Sequence, residues 1–318
     1  MSTPLADLPH VLSGDRHELQ DAKAGRISYY VDAPTCSPDP HVATPLLLIH
    51  SINAAASAHE VRPLFDVYKQ RRPTYALDLP GFGHSERSDR IYCHRLMVDA
   101  VHAVIAEIQS RHDGAPVDAL AVSLGSEFLA KAATEKPEPL RSVALVSATG
   151  FAKRNASHGP PSADCGKPGV HKVVSAPGIG RGLFGLLTTR ASMRFFLRKT
   201  WGSKEIDEAF FEDAHRLSKT PGAHRAPLCF VAGYLFCADA LSVYKELEVP
   251  TWLAHGERGD FTDYSRTSAV ADRPKWRITR FSTGALPYFE IPEEFVSAYD
   301  DFLEASSSDG AVNQHVDG

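Results

Sequence analysis

Ala119-Leu120-Ala121-Val122-Ser123-Leu124-Gly125-Ser126-Glu127-Phe128 is the stretch on which the reading of this chain turns. An apolar strand runs into Ser123, small residues stand two places to either side of it (Ala121 and Gly125), and a helix-forming run follows at once. A turn that lifts a serine hydroxyl above the end of a parallel strand needs that pattern, because its backbone passes close to itself. Such a turn is a nucleophile elbow, although glycine is the more usual residue where Ala121 stands. A serine opening a helix also suits an N-cap, where its oxygen accepts a backbone N–H. The neighbouring segments decide between the two.

Upstream, Leu46-Leu47-Leu48-Ile49 is an unbroken apolar run, the pattern of a central parallel strand covered on both faces. Residues 17–22 and 25–31 predict a pair of strands across a short turn, and the proline-rich residues 34–45 a loop. Val61, Leu64, Phe65 and Tyr68 recur at helical spacing, as do Met97, Val101, Val104, Ile105 and Ile108. Between these helices a strand at 74–77 ends in Asp78-Leu79-Pro80-Gly81-Phe82-Gly83-His84-Ser85. Strands at 117–122 and 143–146 follow. Alternation of this kind implies an α/β protein with a mostly parallel, doubly wound sheet. From about residue 150 the rhythm breaks into Gly, Pro, His and Arg with helical runs at 192–199 and 207–217, and the strand pattern resumes at 250–254 and 276–281. Phe295, Tyr299, Phe302 and Leu303 mark a closing helix. The expected domains are a core of residues 1–149 and 242–305, an inserted helical cap at 150–241, and a disordered tail at 306–318.

Composition narrows the function. With 43% hydrophobic and 23% charged residues among 318, and a formal net charge of −5, the chain is an ordinary globular protein without a basic footprint for nucleic acid. No apolar run reaches the length of a membrane span, and the start, Met1-Ser2-Thr3-Pro4, lacks the charged and apolar segments of a secretory leader. Five cysteines (Cys36, Cys93, Cys165, Cys229, Cys237) at scattered spacing fit neither a disulfide framework nor a zinc site. They favour reduced thiols and a cytoplasmic location. Dinucleotide binding is disfavoured, because Gly81-Phe82-Gly83 lacks the third glycine of that fingerprint. The expectation is a small-molecule substrate with an apolar portion, without nucleic acid, membrane, cofactor or metal. The insertion's apolar and aromatic residues (Phe184, Leu186, Leu187, Phe195, Phe196, Phe230, Tyr234, Phe236) suggest the apolar portion, although its own core also needs them.

Taken in order, these segments resemble the α/β-hydrolase fold family over residues 17–304. Ile49-His50 closes the third strand where that family places its oxyanion loop. Residues 78–85 match its D-x-P-G-x-G-x-S turn, the elbow falls at Ser123, and residues 284–292 resemble its G-H-x-x-x-x-E-x-P segment. The resemblance implies an esterase-like serine hydrolase performing acyl transfer on a small or medium ester, thioester or related carbonyl compound. That chemistry needs a nucleophile, a base, an acid that orients the base, and donors for the oxyanion. The resemblance assigns Ser123 as nucleophile and Asp260 as acid, with Asp263 a near neighbour able to substitute. A loop aspartate capping the next helix is the plainer account of Asp260. Donors are the Leu124 N–H and one from Ser51 or Ile52, where the family's usual His-Gly reads His50-Ser51. His50 is read as structural.

The base is missing. In Ser282-Thr283-Gly284-Ala285-Leu286-Pro287-Tyr288-Phe289-Glu290-Ile291-Pro292 the family's histidine falls on Ala285, in a register fixed by Gly284, Glu290 and Pro292. Alanine accepts no proton. An engineered histidine-to-alanine exchange, natural divergence, or a substitute base would each account for it. Ala121, Ser51 and Ser126 also depart from the usual small glycines, which favours divergence. Candidate substitutes are Glu127, one helical turn beyond Ser123, and His255, at a strand end near the acid loop. A helix-start carboxylate stabilised by the dipole and a packing histidine are their plainer readings. His84 and the insertion's His158, His171, His215 and His224 carry no spacing signal. Two functions therefore stand: a hydrolase, or a non-hydrolytic ligand-binding relative that has lost the triad.

Overall fold

The computed structural model describes residues 8, 10–34, 44–153, 159–176 and 178–313, of which 308–313 are described by backbone alone. The expected loop at 34–45 therefore falls largely outside the described residues, as do Cys36 and His158.

Eight strands form one sheet: β1 (Asp15–Asp21), β2 (Gly25–Asp32), β3 (Leu46–Ile49), β4 (Thr74–Asp78), β5 (Val117–Val122), β6 (Leu140–Val146), β7 (Thr251–Gly256) and β8 (Trp276–Phe281). Their spatial order is β1-β2-β4-β3-β5-β6-β7-β8. The β1/β2 and β2/β4 pairs are antiparallel and every other pair is parallel. Strands β3, β4 and β5 are buried at every position, which is why β3 reads as an unbroken apolar run and the other two as largely apolar ones.

The order of strands places the site. From β3 the chain steps outward to β4 on one side and returns to β5 on the other, so the direction of winding reverses between β3 and β5. Ligand crevices in open α/β sheets form at the carboxyl ends of strands at such a reversal. Ile49 pairs with Ala121 in the β3/β5 register, so the loop after Ile49 and the turn after Val122 leave the sheet side by side.

Helices cover both faces. The helix α1 (Arg62–Tyr68) lies on one face; α2 (His94–Arg111) and α3 (Gly125–Glu135) lie on the other. Between β6 and β7 come α4 (Pro168–Val174), α5 (Ile179–Leu187), α6 (Arg190–Trp201), α7 (Glu208–Leu217), α8 (Arg225–Val231) and α9 (Ala240–Glu246), the helical insertion that the broken rhythm predicts. The short α10 (Ser268–Ala271) and α11 (Pro287–Glu290) precede a closing helix, α12 (Pro292–Asn313). Helix α12 runs on well past residue 305, where a frayed tail was expected. The small polar residues there satisfy their hydroxyls within the helix: Ser306 Oγ donates to Phe302 O (2.8 Å) and Ser307 Oγ to Leu303 O (2.9 Å).

The amino end of β5 is tied by charge. Asp118 is fully buried and accepts from Arg141 Nε (2.9 Å), from Ser142 Oγ (2.6 Å) and from the Arg72 guanidinium, while Arg72 Nε donates to Thr44 O (2.6 Å). This one carboxylate thus joins β5 to β6 and to the segment that enters β3. Removing it orphans two guanidiniums, a loss of about 3–5 kcal/mol for a broken buried pair. Asp118→Ala is expected to lower the urea-unfolding free energy by that amount, and a loss below about 1 kcal/mol would contradict the assigned role.

Candidate active site

Ser123 adopts φ +53°, one of three non-glycine residues in the left-handed region among those described. That conformation is disfavoured for an L-residue by about 1–2 kcal/mol, so its surroundings must hold it there. The Ser123 N–H donates to Val146 O of β6 (2.7 Å), the Ser126 N–H donates back to Ser123 O (3.1 Å), and Ser126 Oγ closes the turn on Ala121 O (3.1 Å). Ser126 thus has a job in the turn. A Cβ on Gly125 would lie 2.5 Å from His50 O, so only glycine lets the elbow pass the loop after β3. The Ser123 side chain is half-buried, and its hydroxyl makes no hydrogen bond among the described residues.

The loop after β3 is organised by two buried side chains. His50 Nε2 accepts the Leu79 N–H (3.0 Å), which leaves the ring proton on Nδ1 facing Ser51 O at 2.6 Å. His50 is therefore a structural clamp. Glu60, buried in the 3-10 turn Ala58–Val61, accepts the Ser51 N–H (2.8 Å) and the Asn53 side-chain amide. This corrects one alternative: the Ser51 N–H is already committed to a carboxylate. The N–H groups of Ile52 and Leu124 bind no acceptor among the described residues. Nothing in the sequence singled out Glu60, because its partner is a backbone amide with no side-chain signature.

The acid and base positions are arranged differently from the expectation. Ala285 is buried; its N–H donates to Thr200 O (2.9 Å) and its carbonyl accepts from Ser147 Oγ (2.7 Å). Glu290 accepts the Gly284 N–H (2.6 Å) and the Arg258 guanidinium, so this register landmark fixes the loop. Asp260 is half exposed at its side chain and forms an ion pair with Lys199 of α6 (2.8 Å), while its N–H donates to Lys199 O (3.2 Å). The last turn of α6 thereby binds both loops, and a Cβ on Gly284 would sit 2.3 Å from Trp201 O. No hydrogen bond joins Asp260 to the elbow. Asp263 accepts the backbone N–H groups of Ser265 and Lys153, both at 3.1 Å, in a turn-capping role.

The substitute bases also find other partners. His255 is buried, stacked on Tyr264 with centroids 3.8 Å apart, and its Nδ1 meets Gly256 O at 3.0 Å; burial pulls its pKa down. Glu127 is buried in the first turn of α3, where Oε2 accepts the Cys237 N–H (2.9 Å) and Oε1 accepts Thr149 Oγ1. Those partners stand at the two ends of the helical insertion. His84 contacts the Tyr30 hydroxyl (3.1 Å) and Leu8 O (3.3 Å), and His171 the Ser175 hydroxyl (3.0 Å). His215 stacks on Phe211, and His224 lies against Phe184.

Sheet order, winding and the strained turn after β5 together define the α/β-hydrolase fold. Residues 44–163 match the family model described as the alpha/beta hydrolase fold. Over 111 residues, 35% of this chain and 38% of the relative's length, the chain is 28% identical to an uncharacterized hydrolase, YugF, of Bacillus subtilis. Its structure is similar to that of a probable hydrolytic enzyme from Pseudomonas aeruginosa PAO1, with a TM-score of 0.72, 18% identity, and 92% of this chain and 95% of that one covered. A second likeness is to proline iminopeptidase of Mycobacterium smegmatis, with a TM-score of 0.68, 18% identity, and 93% and 100% of the two chains covered. No helix among the described residues is long and apolar enough to cross a membrane.

Glu127 carries a pH signature. Burial raises its carboxyl from the ordinary 4.5 to about 7, against the opposing hydrogen bonds from Thr149 and Cys237. The folded protein therefore keeps a proton that the unfolded chain releases, and stability falls as pH rises between those values. The total is on the order of 3 kcal/mol. Glu127→Gln removes that slope, so urea unfolding from pH 4.5 to 8 should show the variant gaining on the parent by this amount. Parallel curves would contradict it.

Proposed function

We propose that this chain is a hydrolase in which Ser123 attacks a small or medium ester, thioester or related carbonyl carbon. The N–H groups of Leu124 and Ile52 receive the developing oxyanion. The observation that carries the reading is the elbow: a strained, half-buried serine with an unbound hydroxyl, followed directly by an unbound N–H. Strain at a non-glycine position persists only where its surroundings over-determine it, and such positions cluster at reacting centres. The hydrolases among the relatives support the same class. The helical insertion serves as a cap over residues 150–241, sheltering an acyl-enzyme from competing water. Its aromatics supply the apolar wall.

The proton on Ser123 has no side-chain acceptor in the described site. Ala285 offers none, and Glu127 and His255 are committed elsewhere. Proton transfer then falls to solvent or to the substrate's own leaving group, and acylation is slow. In hydrolases of this chemistry the oxyanion donors and substrate binding alone retain about 10³–10⁴-fold acceleration over water. Slow turnover and a long-lived acyl-serine are the consequence.

Two measurements test this. A fluorophosphonate probe in excess is expected to label one serine per chain slowly, over hours, and Ser123→Ala should abolish the label; a Ser123 inert under those conditions would leave the ligand-binding reading in its place. Ala285→His should raise p-nitrophenyl acetate turnover by about a hundredfold, the margin by which a serine–histidine pair without its carboxylate exceeds the bare site. That gain should vanish in Ala285→His/Ser123→Ala. No gain in a folded Ala285→His variant would contradict the assignment of residue 285 to the base position.

A further inference from the structure

A cleft of about 610 Å³ opens where the loop after β4 meets the helical insertion. Its walls carry Arg26, Arg87, Arg181, His224 and Arg225, with Glu86 as the one carboxylate. Ser123 is not among its lining residues, so the cleft is separate from the elbow.

The charges in this cleft do not balance. Glu86 already accepts the Arg26 N–H (3.1 Å), and Arg26 pairs with Glu18 (2.8 Å). Arg87 is buried, yet its partners are neutral: Nη2 donates to Gly83 O (2.7 Å), Nη1 to the Thr220 hydroxyl, and Nε has no partner. Burial pushes its pKa down to about 10, so the group still carries its charge at neutral pH. Arg225 donates to Arg87 O, and Arg181 is exposed without a partner among the described residues. Neither forms an ion pair there. A buried guanidinium that makes no ion pair, with only the field of the buried Asp78 carboxylate to offset its charge, is a costly feature for a fold to keep.

Three unpaired guanidiniums call for more than one negative charge, and their planar forks suit an oxyanion with several acceptor oxygens. The volume exceeds what a bare oxyanion needs and lies in the range of small-molecule sites. We propose that the cleft binds a phosphorylated small molecule, its phosphate held by Arg87, Arg181 and Arg225 and its remainder filling the space beneath His224. Arg181, His224 and Arg225 belong to the insertion and Arg87 to the loop after β4, so the ligand bridges the two.

Calorimetric titration with phenyl phosphate tests the proposal on the intact chain. Saturable one-to-one binding is expected. Benzoate, with one charge, should bind at least about tenfold more weakly, and Arg181→Ala/Arg225→Ala should lose about tenfold or more, the scale of charge-assisted hydrogen bonds. Both substituted residues avoid the interior, and circular dichroism checks that the variant is folded. Arg87→Met should abolish binding. Ser123→Ala should bind as the parent does. The proposal is overturned by absence of saturable binding to the parent, by undiminished binding in the double variant, or by loss of binding in Ser123→Ala. Inorganic phosphate binding as tightly as phenyl phosphate would overturn the assignment to an organic ligand.

Discussion

The site rests on one close approach: the elbow after β5 passes the carbonyl of His50 so tightly that residue 125 has no room for a side chain. Two strands that are neighbours in the sheet send their loops across each other at this point, and both loops must be held rigid for the crossing to survive. The β5 side is held by the N–H of Ser123 on Val146 and by Ser126 on Ala121. The β3 side is held by His50 on Leu79 and by Glu60 on Ser51. With both sides fixed, the hydroxyl of Ser123 and the amides of Leu124 and Ile52 remain unbound. Their freedom is a product of everything around them being committed.

The loop that carries Ala285 is held through its backbone. Its hydrogen bonds to Thr200, Ser147 and Glu290 run through backbone atoms of residues 284 and 285, so the identity of the side chain at 285 hardly enters. An alanine there leaves every one of those bonds in place. The same holds for Asp260, whose fold-level role is met by its backbone N–H on Lys199 while its carboxylate turns to the surface.

Most of the fold was legible because buried strands leave short, largely apolar runs and amphipathic helices a periodic pattern. The runs at 46–49 and 117–122 and the helical spacing at 97–108 become β3, β5 and α2. The turn at Ser123 was legible because its sterics restrict the flanking residues. What escaped is of another kind. The Ser51 N–H is taken by Glu60, nine residues on, through a backbone contact that no residue pattern encodes. The exposure of Asp260 depends on α6, whose position against the two loops is set by tertiary packing. The extension of α12 past residue 305 runs through small polar residues whose hydroxyls bond within the helix, where composition alone suggests a loose end.

Glu127 has a mechanical consequence. Its two oxygens grip Thr149, where the chain leaves the sheet, and Cys237, where it comes back. Both stems of the excursion are thereby riveted to the helix that springs from the elbow. The excursion is not a flap free to swing from its roots. Bending of the excursion against the sheet is left to its middle, among α4 and α5, because the last turn of α6 is itself bound to the loops that carry Asp260 and Ala285.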